Sequence, residues 1–129
     1  MITLEVYLSQ HDEYAKEGEL TDDIRLNSAI TVDRANQLMI AAHLDLGLRS
    51  GWRPAAANKA IPGAAAKSKH MTGQAVDIVD DEGELDDWCL DNPQRLERIG
   101  LWQEHPSFTK GWCHVQIVPP KSGKRVFYP

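Results

Sequence analysis

Three side chains that commonly bind metal ions, His70, Asp77 and His114, constrain the fold more than any other feature of the sequence. Asp77 falls in residues 74–79 and His114 in residues 111–118, two stretches whose patterning predicts β-strands. Side chains alternate between the two faces of a strand, so each of these residues projects from one face only. If the strands pair with those faces aligned, Asp77 and His114 meet across one sheet.

His70 lies in the loop before the first of these strands, and the turn that Gly73 permits lets it reach the same point. The small side chain of Ala75 leaves room beside Asp77. Imidazole and carboxylate groups are ligands that Zn²⁺ accepts, and two histidines with one acid leave a fourth position open, as in catalytic sites. The spacing between His70 and Asp77 is a loose pattern, however, and by itself it leaves zinc binding undecided.

The composition is that of an ordinary globular protein. Hydrophobic residues make up 42% and charged residues 26% of the chain, and 19 acidic against 14 basic residues give a net charge of −5. No stretch approaches the ~18 consecutive apolar residues of a transmembrane helix, and the N-terminus lacks the pattern of a signal peptide. We therefore expect that the protein is made in the cytoplasm and does not insert into a membrane. The acidic balance argues against nucleic acid as a partner.

Charge is unevenly distributed along the chain. Residues 105–129 contain no acid, and their cations are Lys110, Lys121, Lys124 and Arg125. This basic tail either attracts an anionic surface such as a cell-wall polymer or is an ordinary solvated strand region. The acids between Asp80 and Asp87 lack the spacing of a calcium-binding loop, which indicates a solvated turn.

The pattern predicts a single domain over residues 1–129, a monomer, with its metal-site core at about 48–118. An apolar stripe at spacings of three and four predicts a long helix that begins after Thr21 and stops at Gly47. The other predicted elements are a helix over 4–8, a strand from Leu48, an irregular loop over 55–69, and short helices over 84–90 and 93–99. Helices and strands without βαβ alternation indicate the α+β class, with a small antiparallel sheet packed with helices.

The two cysteines, Cys89 and Cys113, are too few for a disulfide framework. They suit a reducing compartment. We expect both to be free thiols.

Residues 68–77 reproduce the complete SxHxxGxAxD motif of the zinc D-alanyl-D-alanine carboxypeptidases, the D-Ala-D-Ala dipeptidases and the phage L-alanyl-D-glutamate endopeptidases. Trp-Cys-His at 112–114 resembles their WxH motif, and Ser-Gly-Trp-Arg at 50–53 is similar to their SGYR segment. Order and spacing match over about residues 48–116, and the C-terminal segment resembles a short phage or prophage branch. The resemblance implies a hedgehog/DD-peptidase-like fold.

The resemblance also implies roles for the matching residues. These are the zinc ligands His70, Asp77 and His114, and the substrate-binding residue Arg53. Ser68 and Trp112 are further candidates for the substrate site. Arg53 would bind a carboxylate of the substrate. Ser68 would orient the metal loop rather than act as a nucleophile, because water attacks in this family. Trp112 would either line the substrate cleft or pack in the core.

One departure concerns the catalytic acid, which many members of the family place three residues before the last histidine. That position here is Gly111, and a positioned general base commonly contributes ~10²–10⁴-fold to the rate. Glu104, on the loop expected to lead into the His114 strand, is our candidate for the base. The alternatives are His105 as the base, or Glu104 as a solvated loop carboxylate.

Taken together, the resemblance implies a zinc-dependent metallopeptidase that cuts the stem peptide of bacterial peptidoglycan. The bond is either D-Ala-D-Ala, as in a carboxypeptidase, or L-Ala-D-Glu, as in an endopeptidase. The alternative is a degenerate module that holds zinc and binds the cell wall or serves in a virion, since Gly111 removes the usual acid. For an enzyme of the phage type we expect action on the cell wall after endolysin-like release or as part of a virion.

Overall fold

A five-stranded sheet lies at the centre of the computed structural model, which describes residues 1–129. Its strands are β1 (Leu48–Ser50), β2 (Ala75–Asp80), β3 (Trp102–Glu104), β4 (Gly111–Gln116) and β5 (Val126–Phe127). They lie in the order β1-β2-β4-β3-β5, and only the pair β3 and β5 is parallel. The strands that carry Asp77 and His114 are therefore direct neighbours, which fulfils the condition for these two side chains to meet.

Helices account for most of the remaining regular structure. The α-helices are α1 (Leu4–Ser9), α2 (Asp22–Ala42), α3 (Ala55–Ala60), α4 (Glu84–Asp91) and α5 (Pro93–Ile99). Short 3₁₀ helices cover Asp12–Tyr14, Lys69–Thr72 and Pro106–Phe108. Together with the mostly antiparallel sheet, these helices confirm the predicted α+β class.

None of the helices combines the length and the apolar character needed to cross a membrane.

Helices α2, α4 and α5 supply the apolar side chains that cover one face of the sheet. The residues of β2 and β4 that point to this face are fully buried, namely Val76, Ile78, Cys113 and Val115. Cys89 of α4 joins the same core, and both cysteines are free thiols, as predicted. Because side chains alternate along a strand, Asp77 and His114 project from the opposite face.

Helix α2 begins where the sequence predicts but ends earlier. The hydroxyl of Thr21 accepts a hydrogen bond from a backbone N–H of the first turn, as an N-cap does. The helix ends at Ala42, whereas the predicted stop was Gly47. His43 takes the left-handed conformation that ends the helix, with φ of 57°. Gly47 is therefore not needed to end α2.

Two segments predicted as loops contain regular structure. The first half of the predicted loop 55–69 forms α3, since alanine has the highest helix propensity and Pro54 fixes the backbone before the first turn. Glu104 was expected on a loop but lies in β3, whose Gln103 pairs with β4 on one side and β5 on the other. A strand of three residues gains its stability from these distant partners, so local patterning does not reveal it.

Two acids predicted to lie in a solvated turn are buried. Asp80 accepts hydrogen bonds from the backbone N–H groups of Leu85 at 3.0 Å and Asp86 at 2.8 Å, so it caps the start of α4. The carboxylate of Asp86 accepts from Gln103 Nε2 at 2.8 Å and from Thr109 Oγ1 at 3.0 Å. These bonds tie α4 to β3 and to the segment before β4. The prediction of a solvated turn is wrong for both acids.

Replacing the buried cap should destabilise the protein. We expect Asp80→Ala to lower the free energy of unfolding by about 1–2 kcal/mol, because two N–H groups of α4 lose their acceptor. Urea denaturation monitored by circular dichroism measures the change. Asp81→Ala removes an exposed carboxylate one residue away and should stay within ~0.5 kcal/mol of wild type. Equal stabilities of the two variants would contradict the assignment of Asp80 as a cap.

Candidate metal centre

The three predicted ligands converge on the middle of the pairing between β2 and β4, where Asp77 lies opposite His114. His114 Nδ1 lies 2.8 Å from Asp77 Oδ1, and His70 Nε2 lies 3.3 Å from the same oxygen. One potential ligand atom from each residue lies within 4.8 Å of the other two. The structure thus brings together the residues that the sequence places far apart.

The 3₁₀ helix Lys69–Thr72 positions His70 just before β2. The Ser68 hydroxyl caps this helix by accepting a hydrogen bond from the His70 N–H at 3.2 Å. Gly73 ends it with φ of 73°, and a Cβ atom there would lie 2.4 Å from the Ser28 hydroxyl of α2. The turn and the close contact both require glycine. Ser68 and Gly73 therefore fix the loop that delivers the imidazole.

Hydrogen bonds to the outer nitrogen of each histidine orient the two rings. His70 Nδ1 lies 2.9 Å from the carbonyl oxygen of Gly51, which can only accept, so Nδ1 carries the proton and Nε2 faces the cluster. His114 Nε2 lies 3.0 Å from Gln116 Oε1, while the amide nitrogen of Gln116 donates to the Val118 carbonyl at 2.9 Å. This arrangement makes Nε2 of His114 the donor and leaves Nδ1 available to a metal.

Charges within the cluster shift the pKa of each member. Burial opposes ionisation of Asp77, but the charge of His70 and hydrogen bonds from both histidines outweigh it and hold the pKa of Asp77 well below its usual range. Burial lowers the pKa of His70. For His114, burial is outweighed by the hydrogen bond and charge of Asp77, and the pKa is raised. A metal entering this cluster therefore competes with the proton for His114 and meets a carboxylate whose ionised form is favoured.

Arg53 lies against the oxygen of Asp77 that the histidines leave unused. Its Nη2 is 3.3 Å from Asp77 Oδ2, Nε donates to Ser50 Oγ at 3.0 Å, and Nη1 donates to Asn58 Oδ1 at 3.4 Å. A guanidinium carries five N–H donors, so these bonds leave two of them for another acceptor. Arg53 is thus placed at the site with donors to spare, where the sequence predicted a carboxylate-binding residue.

One row of side chains crosses the sheet through the cluster. Ser50 pairs with Asp77, and Asp77 pairs with His114. The paired residues of β3 and β4 end at Gln103 and Val115, and one further step of this register places Glu104 beside His114. Phe127 pairs with Glu104 on the far side. We call these five residues the metal row. Burial raises the pKa of Glu104, while the charge of His114 acts in the opposite direction. The pairing of β3 with β4 brings Glu104 to the cluster.

The other two candidate positions for the base do not reach the cluster in the same way. Gly111 is the first residue of β4, with φ of 96°, and offers no side chain. His105 Nδ1 accepts a hydrogen bond from a backbone N–H of the 3₁₀ helix Pro106–Phe108. Its ring stacks on Tyr128, with centroids 4.7 Å apart. His105 is thus held as a helix cap, and Glu104 is the better placed of the candidates.

The face of the sheet that bears the metal row is partly open to solvent. Trp102, Glu104, Trp112 and His114 all project from this face and are partly exposed. We refer to it as the open face. Of the two predicted alternatives for Trp112, the structure places its ring on the open face and not in the helix-covered core.

Two residues of the site were not identified from the sequence. Gln116 stands two residues after His114, so strand alternation places both on one face, and this was the available signal. Phe127 reaches the row through the parallel pairing of β5, and its ring centroid lies 6.3 Å from that of His114. That contact depends on a pairing that no local pattern specifies.

The donor set fits zinc. Ligand bonds of about 2.0–2.2 Å place neighbouring ligands of a tetrahedral zinc ion roughly 3.3 Å apart, and the measured separations from Asp77 Oδ1 are 2.8 and 3.3 Å. His70, Asp77 and His114 would hold the ion with one ligand atom each, and these atoms lie within 4.8 Å of one another. Three protein ligands with one open position are the arrangement of a metallohydrolase.

Comparison with known families agrees with this class. A family model described as Peptidase M15 matches residues 15–110, most of the chain. The protein belongs to the peptidase M15 family, whose members are zinc-dependent peptidases, which confirms the predicted resemblance at the level of the family. The match includes His70 and Asp77 and ends before His114, which the pairing of β4 with β2 supplies. No curated protein and no solved structure matches the chain.

The hydrogen bond from His114 to Gln116 should strengthen zinc binding. We expect Gln116→Ala to weaken zinc affinity about 10- to 100-fold, because the His114 ring loses the partner that fixes its tautomer and orientation. Competition with a chromogenic chelator measures the affinity.

His114→Ala removes a proposed ligand altogether and should abolish stoichiometric zinc binding. Gln37→Ala, on the exposed face of α2, should bind zinc as the wild type does. Tight retention of one ion by His114→Ala would show that the ligand set is wrong.

Proposed function

We propose that this protein hydrolyses a peptide bond in the stem peptide of bacterial peptidoglycan, with Glu104 as the general base. The observation that carries the proposal is the metal row, in which Glu104 stands beside His114 on the open face. Membership of the peptidase M15 family supports zinc peptidase activity on a cell-wall peptide. The M15 motif does not itself name the base, and the register of β3 is what favours Glu104.

Each residue of the site has a part in the proposed reaction. A zinc ion held by the three ligands would supply Lewis-acid polarisation of the scissile carbonyl and activation of water. Glu104 accepts the proton of the attacking water and can return it to the leaving amine. Burial raises the pKa of Glu104, which makes the carboxylate a stronger base than a solvated one. Arg53 holds a carboxylate of the substrate with its two remaining N–H donors.

Two scissile peptide bonds, and two biological settings for their cleavage, are compatible with this site. The bond is D-Ala-D-Ala in a carboxypeptidase reaction or L-Ala-D-Glu in an endopeptidase reaction. The resemblance of the C-terminal segment to a phage or prophage branch supports action on the cell wall after endolysin-like release or within a virion. A second candidate function, a zinc-holding wall-binding module without turnover, is favoured by Gly111, where many relatives carry an acid.

Digestion of purified peptidoglycan separates the enzyme from the binding module. We expect the zinc-loaded protein to release fragments that mass spectrometry can identify and that name the bond. Glu104→Gln keeps the shape of the side chain but cannot accept the proton, so the rate should fall ~10²–10⁴-fold. His105→Gln is the matched control and should retain activity within a few-fold.

The outcomes point to different conclusions. Activity lost in Glu104→Gln and kept in His105→Gln supports Glu104 as the base. The reverse pattern moves that role to His105. Absence of cleavage by wild-type protein with zinc bound, on walls of several chemical types, would instead favour the binding module.

Removing the Arg53 guanidinium should weaken substrate binding. We expect Arg53→Ala to raise KM roughly 10- to 100-fold, the loss expected for a charged hydrogen-bonded pair, while one zinc ion per chain is retained. Steady-state kinetics and metal analysis measure the two quantities. Arg25→Ala, which removes an exposed arginine of α2, serves as the control. An unchanged KM would remove Arg53 from the substrate site.

A further inference from the structure

Two arginine–tryptophan pairs flank the metal row on the open face. The guanidinium carbon of Arg49 lies 4.2 Å from the ring centroid of Trp112, and that of Arg125 lies 4.3 Å from the ring of Trp102. Trp112 lies two residues before His114 on β4. Trp102 pairs with Gln116, which lies two residues after His114 on the same strand. The two pairs therefore lie on opposite sides of the row.

A bulge in β1 turns Arg49 toward the open face. Leu48 pairs with Ile78 and Ser50 pairs with Asp77, so Arg49 is an extra residue with no partner of its own. Bulges of this kind re-aim a side chain relative to regular alternation. The side chains of Ser50 and Arg49 consequently lie on the same face, although the two residues are adjacent in the sequence.

Arg125 reaches the other side of the row through the parallel pairing of β5. Gln103 pairs with Val126, which places Arg125 next to Trp102 at the preceding position. Its Nη1 donates to the carbonyl of Leu101 at 3.0 Å, which anchors the side chain over the indole. The guanidinium keeps four N–H donors for other acceptors.

Both arginines are positioned for an anion that the chain does not itself provide. None of the four ion pairs in the structure includes Arg49 or Arg125, although the chain carries a net charge of −5. The indole ring covers the flat face of each guanidinium and leaves the N–H groups at its edge accessible. A carboxylate is the acceptor whose geometry matches that edge with two parallel hydrogen bonds.

The separation of the pairs fits a short extended peptide. Trp112 and the partner of Trp102 are four positions apart along β4, about 14 Å, and Trp102 lies one strand farther across the sheet, about 5 Å. The resulting separation is about the length of four extended residues. We propose that Arg49 and Arg125 bind two carboxylates of an extended acidic peptide, one on each side of the metal row. Arg49 would act on the Trp112 side of the row and Arg125 on the Trp102 side, and Arg53 would share one of these two carboxylates.

The proposal, which rests on the proposed peptidase function, selects between the two bonds. In the pentapeptide L-Ala-γ-D-Glu-L-Lys-D-Ala-D-Ala, the terminal D-Ala-D-Ala bond has a free carboxylate on each side. Both free carboxylates lie on the same side of the L-Ala-D-Glu bond. Cations on both sides of the metal row therefore favour cleavage of D-Ala-D-Ala.

Amidated peptides test the assignment of each arginine. The zinc-loaded protein is offered the synthetic pentapeptide, its analogue with the D-Glu carboxylate amidated, and its analogue with the C-terminal carboxylate amidated. Affinity is measured as KM where the peptide is cleaved and as Kd by calorimetry where it is not. We expect Arg49→Gln and Arg125→Gln each to weaken affinity for the free acid about tenfold, with kcat within twofold.

Each arginine should respond to a different carboxylate. The effect of Arg49→Gln should shrink below twofold on one amidated analogue, and that of Arg125→Gln on the other. Arg95→Gln is the matched control, because Arg95 lies over Trp88 on the helical side of the molecule, 5.9 Å from its centroid. It should leave every affinity unchanged.

Several results would overturn the proposal. The first is unchanged peptide affinity in both variants. The second is an equal loss of affinity for the free acid and for the amidated analogues. The third is that amidation of the same carboxylate removes the effect of both substitutions. Loss of binding only to walls that carry an anionic polymer, with peptide affinity intact, would assign the arginines to that polymer. Peptide binding that depends on both arginines without any cleavage would overturn the peptidase function and with it the choice of bond, while the two carboxylate-binding roles would stand.

Discussion

The antiparallel register between β2 and β4 is the constraint on which the rest of the structure depends. It sets Asp77 opposite His114 and simultaneously buries Ile78 and Cys113 under the helices. A shift of one residue would reverse the faces of a strand and send the carboxylate into the apolar core. Burial of the apolar side chains therefore also secures the metal centre, because one alternating pattern serves both faces.

Asp77 connects the electrostatics of the site. Its two oxygens contact His70, His114 and Arg53, and it is almost completely buried. A buried carboxylate costs several kcal/mol unless charged partners and hydrogen bonds offset the loss of water. Here those partners are the two other candidate metal ligands and the proposed substrate-binding arginine, so the contacts that stabilise the carboxylate also hold these side chains in place. Gln116 and the Gly51 carbonyl extend this ordering to the outer nitrogens of the histidines.

The two faces of the sheet have different roles in the protein. The helix-covered face provides the stability of the core, and the open face presents the metal row between two tryptophans. Glu104 joins that row through a strand of only three residues, which Asp86 and Thr109 help to fasten from the helical side. The position of Glu104 on the open face thus depends on polar contacts buried beneath it. A short strand held from both sides can position the proposed base without a long run of β-forming residues.

The sequence by itself determined the two strands, the long helix, the α+β class and the set His70, Asp77 and His114, because periodicity and a dense motif are local properties. It did not determine that Glu104 lies in a strand, that Asp80 and Asp86 are buried, or that Ala55–Ala60 is helical. The tertiary structure alone decided the metal row, the partner of each histidine nitrogen and the positions of the arginines. Each of these depends on pairing between segments far apart in the chain, where register and a bulge, rather than local pattern, fix which side chains meet.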